Sequence, residues 1–199
     1  MYDRLKQQHY TSVQVQQLKL DGPTVGSITA NAADARVWGA ELENRVAITE
    51  NLSAGVTFSW LDFKYANFEP GTDPATLRII AGQNRPKLKY AINSKYQLPV
   101  GRDFGNISLS ADWAWQAEAL VSAGVDPAAR QSAYGLLNLS SNWDDVMGLP
   151  IDASVFVVNA TNRIYKTGGV PIINILGFSD LTYGAPRIWG LRLRYRFGE

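Results

Sequence analysis

Apolar and polar residues alternate with a period of two over most of this chain. From Trp189 the positions Trp189, Leu191, Leu193, Tyr195 and Phe197 are greasy, while Gly190, Arg192, Arg194 and Arg196 between them are small or cationic. Successive side chains of a strand point to opposite faces, so the segment reads as a strand with one apolar and one charged face. The same alternation sets Ile107, Leu109, Ala111, Trp113 and Trp115 against Ser108, Ser110, Asp112, Ala114 and Gln116. It sets Leu88, Tyr90, Ile92, Ser94, Tyr96 and Leu98 against Lys87, Lys89, Ala91, Asn93, Lys95 and Gln97. Val37 to Ile48 places Trp38, Ala40, Leu42, Val46 and Ile48 opposite Glu41, Glu43 and Arg45, and Leu52 to Trp60 continues the pattern. Tyr134 to Trp143 and Ile151 to Val158 alternate less cleanly, with Leu136, Phe156 and Val158 on the face that should be polar.

The connections between these segments fall into two kinds. Glu50-Asn51, Gly101 to Gly105 and Met147 to Pro150 are short, as tight hairpin turns are. Asp21 to Ser27, Glu69 to Arg85, Val121 to Arg130 and Lys166 to Leu181 are longer, bear Gly or Pro, and alternate with the short ones along the chain. Short turns at one end and long loops at the other predict an all-β, antiparallel up-and-down meander of about eight strands. No domain boundary interrupts residues 1–199.

The apolar face also carries aromatic residues near the strand ends. Trp60, Trp113, Trp115 and Trp189 fall toward the long loops; Tyr96, Trp143, Tyr195 and Phe197 fall toward the short turns. Two such girdles suit a bilayer, and a strand from Trp189 to Phe197 tilted by about 40° climbs roughly 20 Å, close to the apolar band of a transmembrane barrel. The strands are therefore expected to cross a membrane as part of a β-barrel, or to close as one. A soluble β-sandwich, with its apolar face turned inward, is the alternative architecture. On the membrane reading the other face lines a wet lumen. It carries Arg45, Lys87, Lys89, Lys95, Arg192, Arg194 and Arg196 against Glu41, Glu43, Asp112 and Asp152, a basic excess concentrated toward the short turns.

Composition narrows the remaining choices. The chain is 46% hydrophobic, too apolar for disorder, and no uncharged run is long enough for a transmembrane helix. A formal charge of +1 gives no field to recruit nucleic acid. Cysteine is absent and His9 is the single histidine, so neither a disulfide framework nor a multi-histidine metal site is expected, and no cofactor.

Two segments resemble a known family. Asn159-Ala-Thr-Asn-Arg-Ile-Tyr165, followed after a loop by Tyr183-Gly-Ala-Pro-Arg-Ile-Trp-Gly-Leu-Arg-Leu-Arg-Tyr-Arg-Phe197, resembles the terminal two strands of TonB-dependent outer-membrane receptors. Asn31 to Glu43 resembles a strand further upstream in the same family. Gly198 and Glu199 follow Phe197 where the family ends on the aromatic, and Ala33 stands where Gly is commoner. The resemblance implies the C-terminal portion of a barrel in the outer membrane of a Gram-negative bacterium, without the plug domain, the energy-coupling box and about fourteen earlier strands. It implies energy-dependent uptake of a scarce nutrient such as a siderophore, cobalamin or an oligosaccharide, and no catalysis. The implied partners are outer-membrane lipid, the plug domain, the inner-membrane TonB complex, and the barrel-assembly machinery reading Tyr195 and Phe197. A self-contained eight-stranded barrel with a structural or adhesive role is the alternative within the membrane reading.

The remaining signals are weaker. On the family reading the basic inner belt either docks acidic plug residues or is a solvated wall. Asn84, Arg85, Tyr165 and Phe178, in or beside the long loops, are candidate ligand contacts. His9 next to Tyr10, Thr11 and Ser12 lacks an orienting group for hydroxyl activation and reads as a rim residue. Gly168-Gly169 has no following helix or Lys to cradle phosphate, and the four Asn-x-Ser/Thr sequons read as accidental.

Overall fold

The computed structural model describes residues 8–21, 24–68, 85–122, 127–170, 173 and 177–197. The main strands are β1 (Gln8–Asp21), β2 (Thr24–Ala47), β3 (Leu52–Phe68), β4 (Leu88–Gln97) and β5 (Asn106–Gln116). After the short β6 (Ala119–Leu120) and β7 (Arg130–Gln131) come β8 (Tyr134–Asp144) and β9 (Ile151–Val158). The chain ends with β10 (Lys166–Val170), β11 (Asp180–Tyr183) and β12 (Ile188–Tyr195). Eight of these form one antiparallel sheet in the order β1-β2-β3-β4-β5-β8-β9-β12, which is chain order once the small hairpins β6–β7 and β10–β11 are set aside. The meander is the one the alternation predicts.

Register settles the two faces, because directly opposed residues of paired strands share a face. A row runs across the sheet through Trp189, Val157, Leu139, Ala111, Ser94, Ala54 and Val46. The adjoining row on the other face runs through Gly190, Phe156, Ser140, Ser110, Lys95 and Ser53. The apolar face is not covered: Trp189 is 76% exposed, Leu191 63% and Leu193 67%. Contacts between elements join neighbours in a sheet or in the turns, and no second sheet lies against this one among the described residues. A soluble sandwich would bury this face. The sheet is also unclosed, since β1 and β12 are its two edges and do not pair with each other among the described residues.

Aromatic side chains on the apolar face stand at two levels. Trp38, Trp60, Tyr90, Trp113, Trp115 and Trp189 lie six to nine residues from the short-turn ends of their strands, whereas Tyr96, Trp143 and Tyr195 lie within one. With about 3.3 Å per residue and a tilt near 40°, the levels are roughly 20 Å apart. Tyr90 stacks on Trp115 with ring centroids 5.2 Å apart, and Tyr195 meets Phe197 edge to face at 4.5 Å.

The short turns are packed against one another. Thr49 Oγ1 accepts from the amides of Asn51 and Leu52, closing the β2–β3 turn. Trp143 donates through Nε1 to the Phe104 carbonyl at 2.6 Å, joining the β4–β5 and β8–β9 turns. Gly105 adopts φ +83 there, and a Cβ on it would sit 2.2 Å from the Asp145 carbonyl oxygen. Only glycine fits that approach.

The structure departs from the expected elements at the long-loop end. Asp21 to Ser27 is expected as a long loop, yet Asp21 pairs with Thr24 and the ladder continues through Ser27 opposite Leu18. β2 and β3 likewise run well beyond Val37 and Trp60. Part of Lys166 to Leu181 pairs as β10 with β11, and Arg130 belongs to the small β6–β7 hairpin. Phe156, on the polar face, lies over Gly190, where a Cβ would meet its ring at 2.6 Å.

Candidate functional site

The polar face of the sheet is a ladder of hydrophilic groups. One row joins Glu41, Ser59, Lys89, Gln116 and Tyr134; another joins Arg45, Gly55, Asn93, Asp112 and Asn138. Glu43 stands between these rows on β2, opposite Thr57. Thr57, Ser59, Lys89, Gln116, Tyr134 and Leu136 line a cleft of about 320 Å³ on this face, near the long-loop end. Its floor is small, at Ala91 and Ala114, and its walls offer an ammonium, an amide and a phenol. Such groups can donate hydrogen bonds to an anionic or carbonyl-bearing guest, and the phenol can also accept.

Above the cleft the long connections are knitted into a platform. Tyr134 stacks on Tyr165, with centroids 4.8 Å apart and planes inclined by 24°. Tyr165 in turn covers Gly184, where a Cβ would collide with the phenol ring at 2.0 Å, and its carbonyl accepts from the Gly184 amide at 2.9 Å. The Lys166 ammonium donates to the carbonyls of Ala128 at 2.6 Å and Arg130 at 3.1 Å. The Lys166 amide donates to the buried Gln131 Oε1 at 2.7 Å. Arg130 pairs with Glu118. The β5–β8 and β9–β12 connections are thereby held together by charge-assisted and buried polar bonds.

Asn159 is the hub of this platform. It is 1% exposed and adopts φ +50, a left-handed conformation that asparagine tolerates better than most residues. Its Nδ2 donates to the carbonyls of Arg163 at 2.9 Å and Ala185 at 3.1 Å, and its Oδ1 accepts from the Arg163 amide at 2.8 Å. Its own amide donates to Asn138 Oδ1 at 3.0 Å. Asn162, also left-handed, accepts through Oδ1 from the Arg187 amide at 3.1 Å. The two asparagines of the Asn159-to-Tyr165 segment thus tie the end of β9 to the segment that opens β12.

The candidate ligand contacts are not gathered in one place. Tyr165 belongs to the platform, Phe178 is 53% exposed, and Arg85 lies over the Phe63 ring at 4.1 Å. Asn84 lies outside the described residues. Tyr134, Gln116, Gln131 and Asn159 are not among the residues that sequence singles out for a site, although the asparagine heads the segment that carries the family resemblance.

The charged positions of the polar face cluster by height. Arg45, Lys95 and Arg194 stand one or two residues from the short-turn ends of their strands, and Arg192 stands three. Among the described residues no carboxylate pairs with these four. Lys87 and Lys89 lie near the opposite end of β4. Arg196 differs from the belt expected of it: it pairs with Asp145, lies 3.5 Å from Asp152, and its amide donates to the Pro150 carbonyl at 2.9 Å. Asp152 Oδ1 also accepts from the Asp145 amide at 3.1 Å. Arg196 therefore fastens the end of the last strand to the β8–β9 turn. The described residues hold no cluster of His, Cys, Asp and Glu fit for a metal ion.

No curated protein matches the chain in sequence. In the ferric yersiniabactin uptake receptor FyuA of Yersinia pestis, a similar fold covers 86% of this chain and 25% of that one, at 18% identity and a TM-score of 0.65. The siderophore receptor PiuA of Acinetobacter baumannii covers 96% of this chain at 16% identity and a TM-score of 0.66, with 25% of its own length matched. The copper transporter OprC matches over 92% of this chain and 26% of its own, at 14% identity and a TM-score of 0.63. The chain thus spans about a quarter of the length of these structures. Residues 7–162 match the family described as TonB dependent receptor-like, beta-barrel. That match takes in β1 through β9, and the chain belongs to the TonB-dependent receptor β-barrel family of Gram-negative outer membranes.

Proposed function

We propose that this chain forms part of the wall of an outer-membrane receptor that imports a scarce nutrient, with its short turns in the periplasm and its long connections outside. The carrying observation is the uncovered eight-stranded sheet, whose apolar face bears two aromatic levels roughly 20 Å apart and whose other face is mostly polar. A bilayer supplies the missing cover for the first face, and a water-filled lumen suits the second. The unpaired edges β1 and β12 require partners, because edge N–H and C=O groups have none in hydrocarbon. The rest of a longer barrel provides them.

In this arrangement the Tyr134–Tyr165 platform faces the exterior and the Lys89–Gln116–Tyr134 cleft opens beneath it, so a nutrient held by outer loops descends along this wall. The basic positions Arg45, Lys95, Arg192 and Arg194 line this wall at the periplasmic end of the lumen. There they serve to dock acidic groups of a plug domain, which TonB then displaces. The supporting physics is simple: like cations facing a narrow space repel unless water or a partner's carboxylates compensate them.

The experiment is energised uptake by cells carrying the complete receptor. A panel of ferric siderophores, cobalamin and oligosaccharides should include one substrate accumulated only while the inner-membrane coupling complex is intact. Uptake that persists at the same rate without coupling would contradict the reading.

A further inference from the structure

Among its described side chains, the apolar face of the sheet carries charge in one place. Among its described side chains on the eight strands, the charged ones are Arg36, Asp62 and Lys64, and they are neighbours. Arg36 and Lys64 oppose each other on β2 and β3, Trp38 opposes Asp62 in the next row of that face, and Ala40 opposes Trp60 in the row after. Arg36, Trp38, Trp60, Asp62 and Lys64 together line a cleft of about 420 Å³. Lys64 Nζ lies 2.8 Å from Asp62, so one carboxylate is set against two cations and the cleft keeps a net positive charge.

The height of the cleft gives this charge its meaning. Trp38 and Trp60 belong to the upper aromatic level, and the three charged residues lie ten to twelve residues from the short-turn ends of β2 and β3, just beyond it. Two to four residues of a tilted strand correspond to roughly 5–10 Å. Aromatic girdles mark the boundary between acyl chains and headgroups, so on the membrane reading proposed above the cleft stands at the level of the outer-leaflet phosphates. A guanidinium can grip a phosphate with two donors, an ammonium adds a compact charge, and basic pockets at this depth suit lipid headgroups.

We propose that the Arg36–Lys64 cleft is a specific site for a phosphate of lipopolysaccharide on the outer wall of the barrel, with Trp38 and Trp60 against the first methylenes of its acyl chains. Asp62 holds Lys64 toward the cleft and tempers its charge. The site lies on the face opposite the Lys89–Tyr134 cleft and takes no part in carrying the nutrient.

The test is native mass spectrometry of the complete receptor titrated with bis-phosphorylated lipid A, dephosphorylated lipid A or phosphatidylglycerol. Removing both charges in an Arg36→Gln, Lys64→Gln double variant should weaken retention of bis-phosphorylated lipid A by about thirtyfold. Dephosphorylated lipid A should bind both proteins with the weaker affinity, and Asp62→Asn should bind lipid A more tightly than wild type. Equal retention by wild type and double variant overturns the proposal, as does phosphatidylglycerol binding as tightly as lipid A. A fluorophore at Leu191 reports on the membrane arrangement independently of this cleft. If bilayer-phase quenchers reach it while lipid A binding is unchanged, this site is refuted and the membrane reading stands; if they do not reach it, the membrane reading itself falls.

Discussion

Replacing Asn159 probes how the outer platform is held. Its side chain makes three hydrogen bonds, two donated to the carbonyls of Arg163 and Ala185 and one accepted from the Arg163 amide. At about 1 kcal/mol each, their loss in Asn159→Gly costs the closed platform about 3 kcal/mol, roughly a hundredfold in its opening equilibrium. Glycine accepts the φ of +50 without penalty, whereas Asn159→Ala adds about 1 kcal/mol for a Cβ in the left-handed region. Hydrogen exchange in the complete receptor reads this directly at two amides, that of Arg163, bonded to Asn159, and that of Arg187, bonded to Asn162. Both should lose protection, more in the alanine variant than in the glycine variant, while amides in the middle of β5 and β8 keep theirs. Unchanged protection at Arg163 and Arg187 in both variants would refute the clamp. Greater loss in the glycine variant would refute the assignment of backbone strain.

Two further predictions concern the two faces. Leu191 lies four residues from the short-turn end of β12, nearer the middle of the apolar band than Leu193 at two; Leu191→Arg should cost about 2–4 kcal/mol and Leu193→Arg less, read as the amount of complete receptor reaching the outer membrane. Equal insertion of both variants and wild type would place this face out of the lipid. Changing Arg192 and Arg194 together to Gln should increase passive leak of small solutes through the receptor while leaving outer-face ligand affinity nearly unchanged; lost ligand binding with normal leak would assign the belt to the nutrient site.

The parts of the fold that sequence reveals are those where two unlike solvents meet one strand. β4, β5 and β12 alternate cleanly because each residue faces either the apolar or the polar side, and register keeps Trp113, Ile92 and Val56 on one face as the pattern requires. Beyond the upper aromatic level that contrast ends. Thr24 to Ala35 is rich in Thr, Ala, Asn and Ser, so β2 continues there as a strand without any apolar rhythm, and Asp21 to Ser27 reads as a loop although it is paired. β1 also shifts register between Tyr10 and Gln14, which breaks its alternation.

The site was less legible for a different reason. Counting faces finds Arg196 but not its partner Asp145, which sits in a turn and belongs to no strand face. Asn159 is recognisable as part of a family segment, yet its bonds reach Asn138, Arg163 and Ala185, and such distant partners leave no periodic mark. Lys166 likewise looks like an ordinary exposed cation until the Ala128 and Arg130 carbonyls are brought beneath it by the β6–β7 hairpin. Periodicity reports solvent, whereas a clamp depends on where separate loops converge.

In the membrane arrangement proposed above, the Trp189–Leu193 face meets lipid and the Arg192–Arg194 face meets water. Single nitroxide labels at each position from Ile188 to Tyr195 in the complete receptor, reconstituted in bilayers, read this arrangement through their collision rates with oxygen and with a water-soluble nickel chelate. The expected result is a period of two, with oxygen favoured at Trp189, Leu191, Leu193 and Tyr195 and the chelate favoured at Gly190, Arg192 and Arg194. Oxygen preference at the arginine positions, or accessibility to the chelate at every position, would contradict it.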